Sequence, residues 1–290
     1  VDRQTEARRL KWALGVSAVY FFAELIAGFL TNSLALLSDA GHMVTDVAAM
    51  GLSLFAFRMA RRPATLSSTY GFHRVEILAA LFNGLMLWLI VGVILAAAYT
   101  RLLQPPHVDS EGMLIVAVLG LVINVASGVI LYGAHHRNLN LHGAFLHVVS
   151  DAIGSVGAIA AGLIMLATDW YLADPLISIF IGALILYSSW SLVKDSLSVL
   201  MQAVPKGIDL EEVRQTIEAV AGVHKVHDLH VWAVTSDIFT LSAHAVVGNG
   251  GDFHTVLNGI EETLKERYNI EHVTIQLETE SREENEFKAF

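Results

Sequence analysis

The sequence predicts an α-helical polytopic membrane protein: six transmembrane helices followed by a C-terminal α+β domain. Three observations carry that expectation. Six apolar stretches reach spanning length. After Lys206-Gly207 the pattern changes to short amphipathic helices and alternating strands. The 290 residues are 54% hydrophobic and only 16% charged, with a mean hydropathy of +0.55, whereas a typical soluble domain is about 25% charged.

A spanning helix needs about 20 mainly apolar residues. The qualifying stretches are 12–31, 34–57, 76–100, 112–134, 142–167 and 172–194. The first lacks the compact layout of a signal peptide and is expected to be retained. Thr31-Asn32-Ser33 joins it to the second, Gln104-Pro105-Pro106 breaks the chain after the third, and Asp174-Pro175 opens the sixth. Basic residues set the orientation. Arg3, Arg8, Arg9 and Lys11 precede the first stretch, and Arg58, Arg61, Arg62 and Arg74 follow the second. Arg137 lies between the fourth and fifth, and Lys194 and Lys206 close the sixth. The other side offers only Arg101 among Asp109, Glu111, Asp169 and Asp174. Both termini are therefore expected in the cytoplasm, with the second and fifth spans antiparallel.

The C-terminal region follows in order. Leu210, Val213, Ile217 and Val220 recur at helical spacing; 226–234 and 238–247 alternate as strands, with Phe239, Leu241, Ala243, Ala245 and Val247 on one face. Phe253, Val256, Leu257, Ile260 and Leu264 mark a second helix, and Val273, Ile275 and Leu277 a third strand. The expected division is 1–206 membrane domain, 207–279 α+β domain and 280–290 disordered tail. The α+β domain is small enough that dimerisation would help to stabilise it.

Two copies of the pattern His-x-Val-Ser/Thr-Asp lie inside the second and fifth spans: His42-Met43-Val44-Thr45-Asp46 and His147-Val148-Val149-Ser150-Asp151. At i, i+4 a helix puts the His and Asp of each copy on one face. Ionisable groups within a bilayer cost about 2.5–3.5 kcal/mol each on insertion scales and mark a pathway or a site. His42, Asp46, His147 and Asp151 supply two nitrogens and two carboxylates, a tetrahedral set suited to Zn²⁺. A divalent ion with two carboxylates and neutral imidazoles sums to zero charge, and so do the same carboxylates with two imidazolium ions. Metal binding expels protons from its ligands, and histidine titrates in the useful range. Exchange of divalent metal for protons follows from these residue types. The matched pair also reads as a weak internal repeat with a site between its halves.

Glu24 and Asp39 are candidates for a proton path, while Asn83 and Asn124 suit helix-to-helix hydrogen bonding. Gly28, Gly41, Gly51 and Gly84 suit close helix packing. The chain has no cysteine, which removes thiolate ligands and argues against a Cu(I) carrier. The net charge of −10 comes with no basic face interleaved with aromatics, so nucleic acid is not an expected partner. A buried metalloprotease would need His-Glu-x-x-His, which is absent, so no enzyme is expected. A passive metal channel or uniporter is the remaining alternative.

These residues resemble the cation diffusion facilitator family of proton-coupled metal exporters, over nearly the whole chain. The two His-x-x-x-Asp motifs carry the resemblance, together with Tyr70-Gly71-Phe72-His73-Arg74-Val75-Glu76 before the third span and the strand from His230 to Trp232. The resemblance implies zinc as the preferred cargo, efflux by alternating access and a homodimer whose metallochaperone-like cytoplasmic domains form the interface. It also implies a second metal position at His227, His244, Gln276 and Glu278, with His254 as a bridging ligand. Gln276 is a poor zinc ligand, and strand alternation puts His230, not His227, on a face with Asp228 and Trp232. Two departures matter. The loop Pro63-Ala64-Thr65-Leu66-Ser67-Ser68-Thr69 lacks the Asp/His metal site found there in some relatives. The short connection from Ala134 to His142 suits a compact bacterial exporter of the inner (plasma) membrane better than a eukaryotic vesicular one.

Overall fold

Apolar runs of this length leave no water for the backbone, so each must satisfy its own N–H and C=O groups as a helix. A computed structural model of the chain describes residues 15, 19–132, 139–235, 238–248 and 252–279; within its helices the side chains of 46, 47, 50, 53, 54, 57, 130–132 and 139–147 lie outside the description. The helices are α1 (Val19–Leu30), α2 (Leu34–Ala60), α3 (Val75–Leu103), α4 (Ser110–Tyr132), α5 (Leu139–Thr168) and α6 (Ala173–Leu200). Among the described residues four are long and apolar enough to cross a membrane: α3, α6, and the stretches Ser110–Val129 and Val148–Thr168. The start of the first expected span and the tail from residue 280 lie outside the described residues. At α6 the helix runs six residues past the expected end at Lys194, because a long basic side chain can snorkel without ending a helix.

The described parts of residues 1–52 and 82–192 make one compact unit, and those of 53–81 and 193–290 another. The core of the first unit gathers Ala35 and Leu36 of α2, Val91 of α3, Met113 of α4, Met165 of α5 and Ile181 of α6. α1 and α2 approach closely at Gly28, where a Cβ would stand 2.8 Å from Leu37. Between them Asn32 takes a left-handed φ of 55°, which asparagine tolerates at a turn. The three loops at this end meet one another. The Asp109 N–H donates to the Thr31 carbonyl (3.0 Å), the Asn32 amide donates to the His107 carbonyl (3.2 Å), and the His107 and Tyr171 rings lie 4.9 Å apart.

The second unit holds α7 (Leu210–Glu218), β1 (Val223–Ala233), β2 (Phe239–Val247), α8 (Phe253–Tyr268) and β3 (Ile270–Glu278). The sheet order is β1-β2-β3, antiparallel then parallel. Leu241, Ala243, Ala245 and Val247 are buried against Val213 and Ile217 of α7 and Ile260 and Leu264 of α8, the face that the alternation predicted. β1 departs from plain alternation. Its register shifts between His227 and His230, where Asp228 takes a φ of 47°. Such a bulge reverses which side chains face the core, so Val226 and Val231, five apart, are both buried.

The loop before α3 belongs to this unit. Tyr70 meets the His272 ring edge-on at 5.6 Å, and Tyr70, Gly71 and Arg74 line a cavity of about 180 Å³ with Gln202 and Trp232. The sequence motifs around Tyr70 and Trp232 thus line one cavity.

Asp252 caps α8, accepting from the Thr255 hydroxyl and the His254 N–H. These bonds, the Thr255 hydroxyl foremost, hold its carboxyl below the usual carboxylate range. A value lower in the folded than in the unfolded state stabilises above the unfolded value and is lost as pH falls through the folded one. Asp252→Ala is expected to lower the melting temperature of the 205–290 segment at pH 7. The difference from wild type should fade as the pH falls below the unfolded value of about 3.9.

Candidate metal sites

The first site is built on α2 and α5. α5 has 30 residues, about 45 Å at 1.5 Å per residue, which exceeds the hydrocarbon core of about 30 Å. That excess lets Asp151, well inside α5, come level with His42. The His42 Nε2 stands 3.8 Å from the Asp151 Oδ1, with the two side chains only 14% and 12% exposed. Thr45 turns its hydroxyl back onto the His42 carbonyl at 2.6 Å. Asp46 lies on α2 and His147 on α5, each four residues from its motif partner; their side chains lie outside the described residues.

Glu24 and Asp39 are buried, at 1% and 7% exposure, and stand side by side. The Tyr20 hydroxyl donates to the Glu24 Oε1 at 3.1 Å. Asp39 points at α5, where a Cβ on Gly154 would lie 3.7 Å from its Oδ1, three residues along from Asp151. Asn124 donates to the Ser155 hydroxyl at 3.3 Å, an interhelical bond from α4 to α5.

The second site lies on the sheet. His227 and His244 are register partners across β1 and β2, and His244 pairs with Gln276 on β3. Cross-strand neighbours have Cβ atoms about 5 Å apart, so the three side chains lie in a row with Glu278 two residues along. The His227 Nε2 stands 3.3 Å from the Glu278 Oε2, and the His244 Nδ1 3.4 Å from its Oε1. The three ligand atoms all lie within 4.8 Å of one another, and Glu278 is 2% exposed. A buried carboxylate with two imidazoles converging on it fits a divalent ion of the zinc type. The Gln276 amide donates to the Glu278 Oε1, so it braces that carboxylate. His254 stands apart from the cluster, exposed at the start of α8 with its Nδ1 2.9 Å from the Asn258 amide.

Plain strand parity fitted His227 poorly among the implied ligands; the bulge at Asp228 brings it opposite His244. Asp228 itself reaches the His230 Nε2 at 2.9 Å and the His244 Nε2 at 3.8 Å. The sequence signal for that was a charged residue interrupting the alternation between two histidines.

Apolar helices that face a histidine with a carboxylate, in a chain that also gathers two histidines and a carboxylate on a sheet, point to a membrane protein that handles cations. The cation efflux transmembrane domain matches residues 10–201, and the cytoplasmic domain of cation efflux proteins matches 205–280. The chain belongs to the cation efflux family, whose members are transporters and not enzymes. It is 44% identical to the metal cation efflux system protein CzcD of Cupriavidus metallidurans over 272 residues, 93% of this chain and 86% of that one. It is 44% identical to a cadmium, cobalt and zinc/H(+)-K(+) antiporter of Bacillus subtilis, over 90% and 86% of the two chains. Identity to the zinc transporter ZitB of Escherichia coli is 42%, over 96% and 89%. The solved metal-bound C-terminal domain of the CzcD transporter aligns with 24% of this chain and 99% of its own, at 40% identity and a TM-score of 0.24.

Proposed function

We propose that the protein exports divalent metal, zinc first, from the cytoplasm in exchange for protons. His42, Asp46, His147 and Asp151 hold the metal between α2 and α5. The observation that carries this reading is the placement of His42 beside Asp151 across the two helices. The names of the antiporter and zinc-transporter relatives support it. Loaded with metal or with protons the site is neutral; empty and ionised it is not, and a net charge within the bilayer is costly. Exchange is thereby favoured over unaccompanied passage. Glu24 and Asp39 lie beside this site and serve as its proton path.

His227, His244 and Glu278 hold a second zinc that strengthens association of two cytoplasmic domains, with His254 bridging to a second copy of the chain. The domain name shared with 205–280 supports a homodimer. The domains divide at 1–206, 207–279 and 280–290, both termini are cytoplasmic, and the membrane is the bacterial inner membrane.

The test is zinc uptake into proteoliposomes with and without an imposed pH gradient. Metal moving inward as protons move out should accumulate about tenfold further at steady state for each proton exchanged under one unit of pH, worth about 1.4 kcal/mol per proton. A rate set by the zinc gradient alone would favour a passive uniporter.

A further inference from the structure

At the loop end of the helical unit, Asp174 opens α6 and is fully buried. Its carboxylate leaves its own helix and serves α2. It accepts from the Leu34 N–H at 2.8 Å, the Ala35 N–H at 3.0 Å and the Ser33 hydroxyl at 2.7 Å. The first N–H groups of a helix lack partners within it, and the partial positive charge there favours an anion. Here the anion is supplied by a residue 140 positions further along. Arg101, near the end of α3, completes the arrangement. Its NH1 reaches the Asp174 Oδ2 at 3.2 Å and the Asn32 carbonyl at 2.6 Å, and its NH2 reaches the Asn32 Oδ1 at 2.9 Å. One carboxylate therefore ties the starts of α2 and α6 to the end of α3. Ala35 and Leu36 of α2 and Ala173 of α6, next to these contacts in the chain, are buried in an apolar plug with Val108, Met113 and Met165.

We infer that Asp174 is a positioning residue for transport: the clasp that holds this end of the helical unit shut over the metal site. The inference rests on the transport reading above. Metal held at His42, eight residues along α2 from the clasped N–H of Leu34, would have to pass this apolar plug to leave at this end. Leaving at this end requires α2 to part from α6, and Asp174 is the group whose bonds must break. Bonds from one carboxylate to two backbone N–H groups, a hydroxyl and a guanidinium hold the start of α2 against α6 and the end of α3.

The chain contains no cysteine, so Leu36→Cys places a lone thiol in the plug. Intact cells expressing that variant are treated from outside with a membrane-impermeant maleimide, and detergent-solubilised protein is treated in parallel as a control for orientation. With Asp174 intact the thiol should label slowly. Adding Asp174→Asn should raise the labelling rate about tenfold, as expected when a state that is a small minority becomes a common one, while zinc binding measured by calorimetry persists. A merely structural loss would lower yield and melting temperature without selective exposure of position 36. If Asp174→Asn fails to fold, Arg101→Gln, which leaves the cap on α2, should give a smaller rise in labelling. Unchanged labelling in a folded variant of either kind overturns the clasp. Labelling needs no transport, so faster labelling in a protein that moves no zinc would leave the clasp standing and remove the transport reading.

Discussion

Replacing Asp151 with Ala is expected to abolish zinc transport while leaving expression intact. The carboxylate contributes one of the proposed ligands and half of the negative charge that neutralises Zn²⁺. Without it the loaded site carries a net positive charge among helices whose outer surfaces are apolar. That costs about 2.5–3.5 kcal/mol on insertion scales, a loss of about 100-fold in occupancy at 1.4 kcal/mol per decade, before the lost metal–oxygen bond is considered. Asp151→Asn keeps the shape and should fail as badly, because an amide oxygen supplies no charge. The comparison separates ligation from packing, since Asn fills the place of Asp151 almost atom for atom whereas Ala leaves it partly empty. Transport is measured in proteoliposomes by a zinc-sensitive dye. Near-normal rates in either variant would exclude Asp151 from the site and with it the pairing with His42.

Glu278→Ala is expected to remove zinc binding by the C-terminal domain. Glu278 is the one charged donor of the cluster and holds both histidines within 3.4 Å. Removing it leaves two neutral imidazoles, and the affinity should fall at least about 100-fold, the upper end of what even outer-shell changes cost. A ligand that binds only the folded form stabilises it by about 2.7 kcal/mol at one hundred times its dissociation constant. The wild-type domain should therefore melt higher with zinc, and Glu278→Ala should show no such rise. Gln276→Ala, which loosens Glu278 without removing a donor, should fall between them. Equilibrium dialysis of residues 205–290 decides the matter: wild type binding no zinc at micromolar concentration would eliminate the second site and leave the membrane site untouched.

Much of this was legible in the sequence because membrane helices and strand faces are written locally. Apolar length marked the spans, and period-two alternation marked the buried face of β2. The i, i+4 spacing identified both motifs, although only His42 and Asp151 have described side chains. Features that need partners far apart in the chain were not legible. Asp174 reads in the sequence as one acidic residue among several on one side of the membrane; its partners at Ser33, Leu34 and Ala35 appear only when α6 is packed beside α2. Plain parity fitted His227 poorly beside His244 because it takes no account of a bulge, which depends on one residue adopting an uncommon backbone angle. A charged residue between two histidines marks the interruption, but it does not fix that angle.

The row from His227 through His244 to Gln276 also has an evolutionary reading. Either glutamine codon becomes a histidine codon through a change of its third base. The register already places that side chain beside His244 and within reach of Glu278. A single point mutation would therefore turn a brace into a third imidazole donor without moving the backbone. A lineage could retune how tightly the proposed second site holds metal in one mutational step, with the transport machinery inherited unchanged.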